Sequence, residues 1–261
     1  METLAGNAGK GAGAKVLAGG QSLVPLLSMR LAAPDVIVDV NRVPGLDTIE
    51  VTPPWPGAGV RFGALVRHSD LLAHEEAAAA QPLLRLALSH VAHPTIRNRG
   101  TTVGSIVHAD AAAEMPMVLS LLGGSVEVAS VRGTRTIPAD ELYAGPLEST
   151  LASDELALSA FVPALAPGSG VAFEEIARRH GDYALVGVAA HITPDATRLG
   201  YLSVSDTPTV VDVTGSDDPA GAALAVLEPV DDIHATADYR AHLVRVLTER
   251  VLARAEEMTH A

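Results

Sequence analysis

Cysteine is absent from the 261 residues. That excludes disulfides, thiolate ligation of an iron–sulfur cluster and a cysteine nucleophile within the chain, so any such centre belongs to a partner. Long apolar runs are missing too. The stretches 115–122 and 184–192 fall well short of the roughly 18 to 20 residues that span a bilayer. Residues 1–15 hold no basic region followed by a sustained apolar run, so they do not read as a secretory signal. The expectation is a cytoplasmic protein without membrane insertion. Positive charge is scarce: 18 Lys and Arg face 31 Asp and Glu, for a formal net charge of −13, and lysine occurs only as Lys10 and Lys15. A nucleic-acid partner is not expected, because sequence-independent binding needs a basic footprint to displace counterions. Aromatic residues are few, with one Trp, three Phe and four Tyr, which leaves little to stack on a planar ligand.

Apolar residues make up 48% of the chain, enough for a sizeable core. Residues 1–14 are small and glycine-rich, with no apolar periodicity, and are expected to be loosely packed. From Lys15 a short strand at 16–18, a Gly19-Gly20 turn, a helix over 22–31 with Ser22 as N-cap, and a strand at 36–40 make a strand–helix–strand unit. Pro25 falls in the first helical turn, where it is tolerated. Further on the pattern predicts strands at 60–64 and 125–131 and helices at 69–80, 82–90 and 111–122. A strand at 156–162 closes this part, and the Pro/Gly content of 163–170 marks a linker and a domain boundary. Beyond it come strands at 171–177, 184–192 and 199–205 and helices at 220–227 and 237–257. In the last helix Tyr239, Leu243, Val246, Leu247 and Val251 lie on one packing stripe. The fold class is α+β: residues 1–165, divided into 1–55 and 56–165, then a smaller α+β domain at 166–261.

Three polar clusters carry the chemistry. In Leu17-Ala18-Gly19-Gly20-Gln21-Ser22-Leu23 a strand runs through two glycines into a helix start. Backbone N–H groups there can approach a phosphate, and Gln21 and Ser22 add side-chain donors. A plain tight turn is the alternative, since the motif is neither G-x-G-x-x-G nor a Walker A. The second cluster runs from His93 to Ser105 and on through His108 and Asp110 to Glu114 and Pro116. Read as a loop, it offers Thr101, Gly104 and Ser105 to a phosphate or sugar, with Asp110 or Glu114 accepting from sugar hydroxyls. Asp110 could equally be only the cap of the helix that follows. The third, Arg178-Arg179-His180-Gly181-Asp182-Tyr183, is a charged turn between two strands.

AGGQSL, IRNRGT with HADAAAEMP, SDELALSAFVP and FEEIARRHGDYALVG occur here in one order and spacing. Together they resemble the FAD-binding medium subunits of molybdenum hydroxylases, the flavoproteins of carbon monoxide dehydrogenase and bacterial xanthine dehydrogenases. The resemblance covers residues 15–192 and continues more weakly to the C-terminus. It implies a two-part α+β FAD domain followed by a smaller α+β domain. It also implies that Ala18 to Leu23 and Thr101, Gly104 and Ser105 grip the FAD diphosphate. Glu114 would approach the ribityl chain, and Asp182 and Tyr183 would lie near the flavin, with His108 and Asp110 beside them. A molybdopterin large subunit and an iron–sulfur small subunit are the implied partners, with electrons passing from a cluster through FAD to an external acceptor.

Two features depart from the resembled pattern. Val103 stands where glycine is expected, and a β-branched residue there should resist positive φ and hold a phosphate away from the backbone. Only a short glycine-rich segment precedes AGGQSL, where a strand and a helix are expected. These departures define a second reading, a repurposed, flavin-free homologue acting alone on a small molecule, with His108, Asp110, Glu114, His180 or Asp182 as acid–base groups. A third is a subunit that only docks partners. No metal is expected: His90-x-x-His93 is followed by Pro94 and lacks a third ligand, and Glu75-Glu76 reads as a solvated helix face. Ser22 lies in no G-x-S-x-G elbow.

Overall fold

The computed structural model describes residues 1–9, 13–52 and 57–260. Helix α1 (Glu2–Asn7) precedes strand β1 (Ala14–Leu17), and its Leu4 is 2% exposed. Residues 2–7 of the opening segment are therefore helical and anchored by Leu4, against the expectation from its composition; one leucine in a short helix leaves no periodicity to read. Strand β1 pairs in parallel with β2 (Val36–Asp39), Val16 opposite Val38, and α2 (Leu23–Ser28) makes the crossover that parallel pairing requires. Ser22 takes the N-cap position of α2 but makes no side-chain cap hydrogen bond. The helix stops at Ser28 instead of reaching 31, with Arg30 at φ +58°.

Strand β3 (Ile49–Thr52) and β4 (Gly59–Gly63) lead into five helices: α3 (His68–Ala73), α4 (Glu75–Ala80), α5 (Pro82–Leu88), α6 (Pro94–Arg97) and α7 (Thr102–His108). The helix expected at 69–80 is two, broken at His74, whose Nδ1 accepts from the Ala77 N–H. The stretch expected as a polar loop, 93–105, instead contains α6 and the start of α7. Helix α8 (Glu114–Leu122) follows, then β5 (Ser125–Ser130), β6 (Gly133–Pro138), a 3-10 turn, the short β7 (Tyr143–Gly145) and β8 (Glu148–Ser149), and β9 (Leu156–Pro163). These build a five-stranded antiparallel sheet in the order β3-β4-β9-β5-β6. Strands β3 and β6 escaped the sequence reading because exposed polar residues dominate β6 and β3 is only four residues long.

Strands β10 (Gly170–Ala177), β11 (Ala184–Ile192), β12 (Thr197–Leu202) and β13 (Thr209–Asp212) form a four-stranded antiparallel meander, followed by α9 (Pro219–Leu224) and α10 (Ala237–Thr259). Seven consecutive residues from Ala184 are buried, as expected of a strand covered on both faces. Helix α10 covers one face. Its buried stripe is Arg240, Leu243, Val244, Leu247, Thr248, Val251 and Ala255, while Tyr239, placed on the stripe by the sequence reading, is 45% exposed. Helix α8 covers the other face so closely that a Cβ on Gly200 would stand 2.5 Å from Met117 Sδ. Every residue of α8 except Ser120 is buried, the mark of an interior helix. Among the described residues no helix is long and apolar enough to cross a membrane.

Candidate functional site

The first glycine segment leaves β1 at Leu17. Carbonyls of Leu17 and Ala18 accept from Asn41 Nδ2 at 3.3 and 2.8 Å, and Gln21 Nε2 donates back to the Gly19 carbonyl at 3.2 Å. Gly20 has φ +75°, a conformation costly for other residues. Backbone N–H groups of Gly20, Gln21, Ser22 and Leu23 meet no acceptor among the described residues.

The second segment is tied to the start of α3. The His68 N–H donates to Gly100 O and the Thr102 N–H to Val66 O, both at 3.1 Å, while Thr102 Oγ1 lies 3.1 Å from His68 Nδ1. Burial first, then the Arg97 charge, lowers the His68 pKa to about 4, so this imidazole is neutral. The two segments then meet backbone to backbone. A Cβ on Gly19 would stand 2.5 Å from Arg99 O, 2.7 Å from Gly100 Cα and 2.9 Å from Thr101 N. Thr101 is buried as the N-cap of α7, and Gly104 sits over its hydroxyl, where a Cβ would stand 2.5 Å from Thr101 Oγ1.

The expectation for Val103 is overturned. It is helical, without positive φ, and its side chain is 1% exposed within the core. The side chain points away from the loop surface and holds nothing off the backbone. Val103→Gly should therefore remove buried apolar surface and place glycine in a helix, costing about 3 kcal/mol without tightening FAD. A thermal melt with an FAD titration checks this; a tighter complex would restore the steric reading.

Helix α7 is seven residues long, about 10 Å. At its far end Ala109 adopts φ 59° and Asp110 begins a turn, its Oδ1 accepting from the Ala112 N–H at 2.9 Å. Asp110 does not cap α8, whose N-cap is Ala113. Glu114, the first residue of α8, is 8% exposed. Burial, then the charges of Glu175 and Asp110, push its pKa up to about 8. Glu175 on β10 places Oε1 3.3 Å from His90 Nδ1, its other oxygen buried without a partner. Tyr183 shares the cleft wall with Asp110 and exposes 61% of its surface, its hydroxyl end being the more buried part. Burial and the Asp110 and Glu114 charges hold that hydroxyl above its usual pKa.

A cleft of about 580 Å³ opens here, lined among others by Asp110, Asp182, Tyr183, Leu185 and Arg240. Neither glycine segment lines it; α7 spans the interval between them. Asp182 pairs with Arg179 at 3.4 Å and Arg178 at 3.8 Å. His180 instead packs edge-on to His93, ring centroids 6.2 Å apart, and Gly181 at φ +83° lies against the same ring. His108 ends α7. Asp110, Glu114 and Tyr183 are thus brought together, and His180 stands apart from them. The sequence reading missed Asn41, Arg67, Glu175 and Arg240. A carboxylate inside the apolar strand 170–177 was a usable signal for Glu175, and Asp-x-Asn after β2 a weaker one for Asn41.

Two glycine segments closed against each other, with unpaired N–H groups at one end of a short helix and an acidic, tyrosine-bearing cleft at the other, define a binder of an extended dinucleotide-type cofactor. Residues 1–165 match the family described as the FAD binding domain in molybdopterin dehydrogenase, and the chain belongs to that family of oxidoreductase flavoprotein subunits, with FAD as its cofactor. It is 42% identical to the 6-hydroxypseudooxynicotine dehydrogenase complex subunit alpha of Paenarthrobacter nicotinovorans, over 93% of this chain and 86% of that protein. It is 39% identical to the nicotine 6-hydroxylase medium subunit of the same organism, over 94% and 90%. The solved carbon monoxide dehydrogenase of Hydrogenophaga pseudoflava superposes with a TM-score of 0.88 at 31% identity, covering 97% of this chain and 93% of that one. The residues fit the cofactor: the N–H groups of 20–23 face no acceptor among the described residues, and Val103 does not intrude.

Proposed function

We propose that this chain is the electron-transfer subunit of a molybdopterin-dependent dehydrogenase, receiving electrons from iron–sulfur clusters and passing them to an external acceptor. The observation that carries the reading is the backbone-to-backbone junction of Gly19 with residues 99–101, beside which the N–H groups of 20–23 meet no acceptor among the described residues. Those N–H groups, with Gln21, Ser22, Thr101, Gly104 and Ser105, would hold the diphosphate. At the other end of α7, Asp110 would accept from ribityl hydroxyls and Tyr183 would cover the ring. Glu114, its carboxyl largely protonated at neutral pH, keeps a proton on its oxygen beside the cleft. FAD, when bound, supplies the exchange between one- and two-electron carriers. With no cysteine in the chain, the clusters sit on a small subunit and substrate oxidation on a large molybdopterin subunit, in the cytoplasm. Residues 1–165 act as the cofactor domain, and 166–261 close it from the Tyr183 side.

The test is direct titration. The full chain should bind FAD with micromolar or tighter affinity, with about one flavin per chain, read by flavin fluorescence and visible absorption. No binding in excess FAD would sink the reading and return the flavin-free alternative to first place.

A further inference from the structure

The two glycine segments lie about eighty positions apart in sequence, and van der Waals contact at Gly19 alone would let them slide. A hydrogen-bonded chain at the surface ties them. Asn41 Nδ2 donates to Ala18 O at 2.8 Å, to Leu17 O at 3.3 Å and to Asp39 Oδ1 at 2.7 Å, which orients its amide. The backbone N–H of Asn41 also donates to Asp39 Oδ1, at 2.9 Å. The amide oxygen, thus turned outward, accepts from one terminal nitrogen of Arg67 at 2.8 Å. The other terminal nitrogen of Arg67 donates to Arg99 O at 2.6 Å. That carbonyl is the atom a Cβ on Gly19 would strike first. The chain therefore starts on the first segment, crosses two side chains and ends where the segments touch.

We propose that Asn41 and Arg67 are positioning residues for the FAD diphosphate, a clasp that sets the spacing and orientation of the two glycine segments before the cofactor arrives. The inference rests on the reading that these segments hold the diphosphate. Its physical basis is the trans peptide, in which C=O and N–H point in opposite directions. Holding the Ala18 carbonyl on the Asn41 side turns the Gly19 N–H to the opposite side. Exposed hydrogen bonds of this kind contribute little to global stability, yet three converge here on carbonyls of the two segments. Arg67 acts in two directions through its planar fork, which a lysine cannot reproduce.

The experiment is FAD titration of the full chain and of Arg67→Ala, Asn41→Ala, Asn41→Asp, Arg67→Lys and the Arg67→Ala/Asn41→Ala double variant. Riboflavin, which lacks the diphosphate, and ADP, which has it, serve as probes. Each alanine variant should weaken FAD about tenfold or more, and ADP in parallel, while riboflavin affinity stays as in the wild type. The double variant should be no more than about threefold weaker than the worse single one, because both break one chain. Asn41→Asp keeps the acceptor for Arg67 but turns an oxygen towards two carbonyls, so it should fail like Asn41→Ala; Arg67→Lys should recover part of the loss. Arg132→Ala, which breaks the ion pair with Asp154, controls for lost stability. The clasp is overturned by wild-type FAD affinity in the alanine variants, or by a loss that falls equally on riboflavin and follows the melting temperature. If the wild type itself binds no FAD, it is the underlying reading that fails.

Discussion

Gly19→Ala is expected to raise the Kd for FAD about a hundredfold, roughly 2.7 kcal/mol. The added methyl group would meet Arg99 O at 2.5 Å, Gly100 Cα at 2.7 Å and Thr101 N at 2.9 Å. All three are backbone atoms, so relief requires one segment to move away from the other. The second segment is anchored through the His68 N–H to Gly100 O and the Thr102 N–H to Val66 O, so the first must shift. A displacement of about an ångström is enough to lose well-aligned hydrogen bonds to a ligand. Gly20→Ala provides the contrast. Its Cβ would meet only the side chains of Leu17 and Val24, at 3.2 Å, though at φ +75°. Its cost is about 1 kcal/mol of backbone strain, with a correspondingly milder loss of affinity. Paired titrations and thermal melts separate the two. Equal affinities for wild type and Gly19→Ala would refute the role given to the junction.

That junction was half legible in the sequence. A glycine pair between an apolar strand and a helix start announces a tight turn wherever it occurs, and the resemblance of AGGQSL and IRNRGT named the segments that meet. Their meeting could not be read, because it depends on Arg67 and Asn41, polar residues without periodicity or a distinctive neighbour. Strand–helix–strand order near the N-terminus, three of the meander's four strands and long α10 were legible because burial on one or both faces imposes runs and stripes, whereas the four-residue β13 was not. The broken helix at His74, the α-helical state of 102–108 and the polar β6 were not. In the second case Thr101, Thr102 and Gly104 have low helix propensity, and packing of Val103 and Ile106 into the core outweighs it. Val103 is the instructive error: its residue type was weighed, but the face of the helix it occupies decides its effect. For Glu114 the motif marked the position and missed the cause, since the perturbing Glu175 arrives from β10, sixty-one residues later.

Glu114→Gln should flatten the fall of stability between about pH 5 and 8. In the folded chain the Glu114 pKa is raised from 4.5 to about 8. Below pH 4.5 both states hold the proton, and the contribution is fully present. Between the two values the unfolded chain releases the proton and the folded chain retains it. Stability then declines by about 1.4 kcal/mol per pH unit and levels off above the folded pKa. The total loss is on the order of 5 kcal/mol. The groups facing the carboxyl are Glu175 from β10, Asp110 from the turn before α8 and the Tyr183 hydroxyl. None is a cation, so nothing opposes the upward shift except the backbone hydrogen bond at Glu114 itself. Glutamine keeps the volume and cannot ionise. The stability difference between variant and wild type, from chemical denaturation at pH 5 and pH 9, should move by about 4 kcal/mol in favour of the variant. A difference that stays constant with pH would mean that Glu114 is ionised in the folded chain at neutral pH. Glu175→Gln should make the decline level off at a lower pH and so shrink the total loss without abolishing it, since burial, the larger cause, remains. A carboxyl that keeps its proton to about pH 8 beside the cleft can donate a hydrogen bond where a carboxylate could only accept one. Asp110, four positions from a protonated Glu114 at the α8 start, then remains the natural acceptor for cofactor hydroxyls.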